Sequence, residues 1–145
     1  MTVPRDLGLY ELTLPAHPSC AAIVRRFAWN VAQLCGLDGD LSQDVELASS
    51  EAYAMVASMR ATLEALEAVR VTISVGPVDL RVEVEDRDPR LPRVLDDEAL
   101  SLDVARRTLV ASLFPGLVVN RAEGRMHVSF KAKLPAEASR TGPPS

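Results

Sequence analysis

Scattered acidic side chains, and not histidines or cysteines, are the groups in this sequence whose spacing could do chemistry. Glu51 follows two serines in the string Asp44-Val45-Glu46-Leu47-Ala48-Ser49-Ser50-Glu51-Ala52-Tyr53-Ala54-Met55. A carboxylate on a helix is a candidate general base, and equally a solvated or capped surface acid. Asp86 closes the alternating run Val82-Glu83-Val84-Glu85 ahead of a charged, proline-rich stretch, an ordinary place for a turn aspartate. The run Asp96-Asp97-Glu98 suits a helix start, where negative charge favours the dipole, or a contact for a basic partner. His17 and His127 are far apart and have no serine or cysteine arranged beside them. Cys20 and Cys35 form no CxxC pair, which disfavours zinc, and fall in one predicted helix, about 22 Å apart at its usual rise, so they cannot bridge each other within it. Reduced, mostly buried thiols are expected.

The elements that must hold these residues can be read from hydrophobic period. Leu9 to Leu14 reads as a strand stopped by Pro15 and the His17-Pro18 step. A helix should start near Pro18, bury Cys20, Val24, Phe27, Val31 and Leu34, and end at Gly36. A second helix should begin at Asp40, which with Gln43 has the form of a capping box, and bury Leu41, Val45, Ala48, Ala52, Val56 and Met59. Residues 61–68 are helix-prone, so this helix is expected to fray or bend there. Val69 to Val75 and Leu80 to Glu85 alternate around Gly76-Pro77 as a hairpin. A loop over Glu85 to Asp97 leads to a third helix marked by Leu102, Ala105, Leu109 and Leu113 and closed by Pro115-Gly116. A second hairpin, Leu117 to Arg121 and Arg125 to Leu134, places Met126, Val128, Phe130, Ala132 and Leu134 on one face. Met55, Trp29 and Phe114 read as core packing, and Arg25 and Arg26 as a solvated face.

This order predicts an α+β fold: a two-layer sandwich of a mixed or antiparallel sheet covered on one face by about three helices. Residues 1–134 are expected to form one domain, and 135–145 a disordered tail. With 145 residues, 48% of them hydrophobic, the chain suffices for one core. Twenty acidic against sixteen basic residues give a net charge of −4 without a basic footprint, which disfavours nucleic acid. No apolar run approaches a membrane span, and the N-terminus lacks a secretory layout, so a cytoplasmic protein is expected.

The element order and three local strings resemble the small anti-sigma-factor serine kinases of the GHKL (Bergerat-fold, HATPase) superfamily, over roughly Leu12 to Leu134. In that family's first ATP-site motif a Ser-Glu pair is followed, four residues after the Glu, by an Asn. The Glu orients or activates a hydroxyl or water for phosphoryl transfer, and the Asn holds magnesium. The resemblance gives Glu51 the first role, while Met55 stands in the second position with a weak thioether acceptor in place of a hard oxygen ligand. Val82 to Pro92 resembles the second motif, in which a strand-end Asp accepts a hydrogen bond from the adenine amino group. Asp86 takes that place, and Asp88 stands where the family has glycine. The third motif is a glycine-rich stretch whose amides cradle phosphate; the matching stretch, Glu98-Ala99-Leu100-Ser101-Leu102, has no glycine and follows Asp96-Asp97.

With these departures the resemblance implies an anti-sigma-factor-like, pseudokinase-like regulator with a degenerate ATP site. Such a protein binds a sigma factor or an anti-sigma antagonist by occlusion, with no cofactor and no metal, and as a monomer or a homodimer. One alternative is an active ATP-dependent serine kinase that phosphorylates an antagonist, with Glu51 as base, Asp86 at adenine and magnesium-ATP as cofactor. A second alternative is a non-enzymatic dimerisation module.

Overall fold

Strict alternation of apolar and polar side chains puts one face of each strand in the core and the other in solvent, and the strands here pair to keep that face common. The computed structural model describes residues 8–58, 69–87, 97–122 and 125–135. Among them five strands form one sheet: β1 (Gly8–Leu14), β2 (Val69–Val75), β3 (Asp79–Asp86), β4 (Val118–Ala122) and β5 (Arg125–Lys133). The sheet order is β1-β2-β3-β5-β4 and every neighbouring pair is antiparallel. Val69, Val71, Ile73 and Val75 of β2, Leu80, Val82 and Val84 of β3, and Met126, Val128, Phe130 and Ala132 of β5 are all buried. The opposite face is polar, with Arg70 paired to Glu85 directly across β2 and β3. Three helices complete the fold: α1 (Ala21–Leu34), α2 (Gly39–Ala57) and α3 (Asp97–Leu113). The structure is thus α+β, an open, wholly antiparallel sheet with three helices, in place of the looser mixed-or-antiparallel expectation.

α2 is the central helix. It packs on α1 and α3 and also on β2, β3 and β5. Val45, Ala48, Ala52 and Val56 are fully buried as expected, and Leu41 is half-buried. Ser42, Ser49, Ser50, Tyr53 and Met55 are buried as well, so the helix is covered over far more than one stripe. Its N-cap is Asp38, whose carboxylate accepts the Leu41 N–H at 2.7 Å. The expected cap at Asp40 is corrected: Asp38 takes the extended backbone a cap requires, and Asp40 lies inside the first turn, where its charge meets the helix dipole.

α1 follows a 3-10 turn over Pro18–Cys20 and ends at Gly36, whose φ of 79° needs a residue without a β-carbon. Its packing face differs from the expected stripe at one end. Leu34 is 73% exposed, and Ala28 and Ala32 are fully buried, because small side chains let α1 approach α2 closely. Trp29 is half-buried.

The expected face of α3 is overturned more strongly. Leu102 and Ala105 are exposed and Leu109 and Leu113 only half-buried, whereas Asp103 and Val110 are buried. The buried meridian is rotated by about 100°, one residue on the helical wheel, from the stripe that hydrophobicity suggests. The cause is what α3 packs on: it docks against α2 and ties to β4 through charges, and only its C-terminal end reaches the apolar core. There Phe114 stacks on Phe130 with ring centroids 4.8 Å apart. The helical continuation past Arg60, Met59, most of the charged loop and the tail from 136 onward lie outside the described residues. Among the described residues no helix is long and apolar enough to cross a membrane.

The connection from β1 to α1 is fastened to α2 by one side chain. Tyr53 is 1% exposed; its hydroxyl donates to the Pro15 carbonyl, lies 3.1 Å from the His17 carbonyl and accepts the His17 N–H at 3.1 Å. Burial pushes its phenol up to about 12, against a smaller downward effect of the backbone hydrogen bond at His17. The folded state therefore holds this proton more tightly than the unfolded chain. Its contribution is fully present below the ordinary tyrosine value near 10 and is lost as pH rises through about 12. Tyr53→Phe is expected to lower the unfolding free energy by about 1–3 kcal/mol, and to remove part of the alkaline loss of stability, both read by urea titration at neutral and alkaline pH.

Candidate functional site

Of the three residues singled out by sequence, Glu51 and Met55 lie on α2 and Asp86 ends β3. Glu51 sits on the surface of α2 toward α3, with 27% of the side chain exposed, and faces Arg106 with Oε2 3.4 Å from Nε. Met55, one turn further on, is fully buried in the core. Asp86 ends β3 at 4% exposure, in the same alternation as Leu80, Val82 and Val84, the face that looks toward the helices. Ser50, the partner of Glu51 in the Ser-Glu string, is buried and turns its hydroxyl back to the Leu47 carbonyl at 3.0 Å. That local bond uses the hydroxyl's one proton, so Ser50 does not donate to Glu51.

The charges around Glu51 extend to β4. Asp103, 5% exposed, pairs through Oδ2 with Arg107 at 3.0 Å and with Arg121 of β4 at 3.4 Å. Asp103 Oδ1 is buried without a hydrogen-bond partner among the described residues, and the buried Arg107 Nε, though 3.0 Å from Oδ2, is not aligned to donate to it. Sequence reading missed this polar seam. One signal was present: Asp103 and Arg107 stand at i and i+4. Asp97 and Glu98 occupy the first turn of α3, so the helix-start reading of the acidic run holds for them. Asp88 and Asp96 lie outside the described residues.

The arrangement limits the chemistry available. A carboxylate engaged by a guanidinium is a fixed charge pair before it is a base. A magnesium ion needs hard oxygen ligands, and the turn that follows Glu51 offers a buried thioether, which does not fit. Asp86 has the chemistry to accept an amino group. Among the described residues no group of three histidine, cysteine, aspartate or glutamate side chains could hold a metal. His17 caps the 3-10 turn, its Nδ1 accepting the Ser19 N–H, and His127 lies 3.8 Å from Glu83 on the solvent face of the sheet. Cys20 and Cys35 are free thiols, and burial raises the Cys35 thiol above its ordinary value.

The sequence matches no protein-family model and no curated protein. The fold does match solved structures. The crystal structure of the RsbU and RsbW domains of Rv1364c from Mycobacterium tuberculosis superposes with a TM-score of 0.67 at 17% identity, over 88% of this chain. This chain spans 32% of that one, about a third of its length. The SiaB-SiaC complex from Pseudomonas aeruginosa aligns over 90% of this chain and 91% of the other, at a TM-score of 0.46 and 15% identity. The first likeness is one of fold, and it agrees with the α+β arrangement of one sheet and three helices that the element order predicts.

If Glu51 and Arg106 join α2 to α3, their energies must couple. Glu51→Gln, Arg106→Gln and the double variant, compared by urea unfolding, are expected to give a coupling of about 0.5–1 kcal/mol that shrinks in about 1 M salt. Strictly additive effects would leave the pair without energetic weight.

Proposed function

We propose that this chain is a regulator of the anti-sigma type that acts by binding and not by phosphoryl transfer. It occupies a surface of a sigma factor, or is itself taken up by an anti-sigma antagonist, and is released by competition between protein partners. Sigma factors and their antagonists place that action in the cytoplasm. The observation that carries the reading is the full burial of Met55, the residue that the resemblance sets where those kinases have the magnesium-holding Asn, and whose thioether is a poor ligand for a hard cation. The ion pair of Glu51 with Arg106 supports it further, because the matching glutamate is already engaged by a cation of its own fold. The likeness in fold to a structure that contains an RsbW domain agrees with a regulatory role. No step of this function is routed through ATP.

Recognition without chemistry makes a definite expectation. The purified chain should form a stable complex with its sigma factor or antagonist in the absence of nucleotide, and magnesium-ATP should neither dissociate it nor label any serine of the antagonist. Gel filtration of the mixture with radiolabelled ATP reads both. Phosphate transfer to the antagonist, reduced by Glu51→Ala or Asp86→Ala, would establish the kinase alternative instead.

A further inference from the structure

On the solvent face of the sheet the charges do not all cancel. Register sets Arg70 against Glu85, where they pair, and Glu83 lies 3.2 Å from Arg81 and 3.8 Å from His127. One row differs. Arg81 stands directly opposite Lys131, two cations on neighbouring strands with β-carbons about 5 Å apart, an arrangement that costs stability. Lys133 follows two residues later on the same face, about 6.8 Å along the strand. Arg81 keeps 46% of its side chain in solvent and turns Nε to Glu83, leaving further N–H donors in its fork. Lys131 and Lys133 are exposed and have no ion-pair partner among the described residues, and Asp79 stands opposite Lys133 in register without pairing to it.

The same stretch of β5 is a bare edge. β4 pairs with β5 from Val118, opposite Ser129, to Ala122, opposite Arg125, so among the described residues no strand lies on that side of β5 over 130–133. Such an edge offers unpaired backbone groups, and lysines on it repel any strand that carries cations, another copy of this edge included. They favour a strand that carries acids. Carboxylates at every second position of an extended segment repeat at the same step as Lys131 and Lys133, and a segment seated in line with β4 sets them against those lysines as cross-strand pairs. A broad anionic surface fits worse, because Glu11, Glu83 and Glu85 share the face and repel it.

We propose that the edge of β5 over 130–133, with Arg81 beside it, is a docking site for an extended acidic segment of a partner protein, which continues the line of β4. The site uses no residue on which the anti-sigma reading rests, and neither depends on the other. A short segment held by a few surface ion pairs binds weakly, with Kd in the high micromolar range.

Fluorescence anisotropy of a labelled peptide of alternating glutamate and threonine, about ten residues long, titrated with the full chain at low salt, tests it. The expected result is saturable binding below about 1 mM, absent for the glutamine–threonine peptide, with slowed amide exchange over 130–133 in the complex. Lys131→Glu and Lys133→Gln combined should raise Kd by about tenfold, while Arg125→Glu, at the far end of β5, changes it by less than about twofold. Lys131→Glu should also keep or raise the melting temperature, since it turns the repulsion with Arg81 into an attraction. No binding by about 1 mM, equal weakening by Arg125→Glu and Lys131→Glu, or binding that leaves amide exchange over 130–133 unchanged would each overturn the proposal. So would a chain that ignores the peptide and binds phosphatidylserine vesicles through the same lysines, which would make this face a membrane contact.

Discussion

The burial of α2 is the constraint on which the rest of the structure depends. A helix in contact with two other helices and three strands keeps its exposed polar side chains, Asp40 and Gln43, near its N-terminal end, and Asp44, Glu46 and Glu51 are half-buried. Alanine, serine and valine face the closest neighbours, and Tyr53 is admitted only because its hydroxyl finds the backbone of the β1–α1 connection. A buried phenol without such partners would cost more than its ring contributes. The same hydroxyl thereby ties the first strand and first helix to the centre of the molecule.

Among the charged residues of α2, Glu51 lies on the side where α3 packs, and its partner is on α3. Glu51 requires a cation there, and Arg106 supplies it; Asp103 then needs one in turn, and Arg107 and Arg121 answer from α3 and β4. α3 is therefore oriented by charge along most of its length and by packing only at its end, where Phe114 meets Phe130. The apolar side chains displaced from the core by this choice, Leu100, Leu102 and Val104, stand in solvent on both flanks.

Most of the sheet could be read in the sequence because its physics is local. Period-two alternation and the turns at Gly76-Pro77 and after Arg121 determine both hairpins, and every side chain assigned to the inner face of β5 is buried. The helical faces were legible only where the neighbour is apolar. On α1 the burial of Ala28 and Ala32 in place of Leu34 comes from how closely two helices approach, which one helix cannot announce. On α3 hydrophobic period pointed to Leu102 and Ala105, and Arg106 instead meets Glu51, a partner 55 residues away in sequence. The candidate site was legible as residue types: Glu51 and Met55 fall on α2, and Asp86 ends β3. The side chain that engages Glu51 was not, since nothing in a string read alone pairs Arg106 with it.

Calorimetric titration of the full chain with ATP and ADP, with and without magnesium, bears most directly on whether Met55 has closed the nucleotide position. A chain that binds proteins and not nucleotides gives no saturable heat up to about 1 mM nucleotide. Saturable binding at micromolar concentration, dependent on magnesium and lost in Asp86→Ala, would contradict that and return Glu51 to the role of a base.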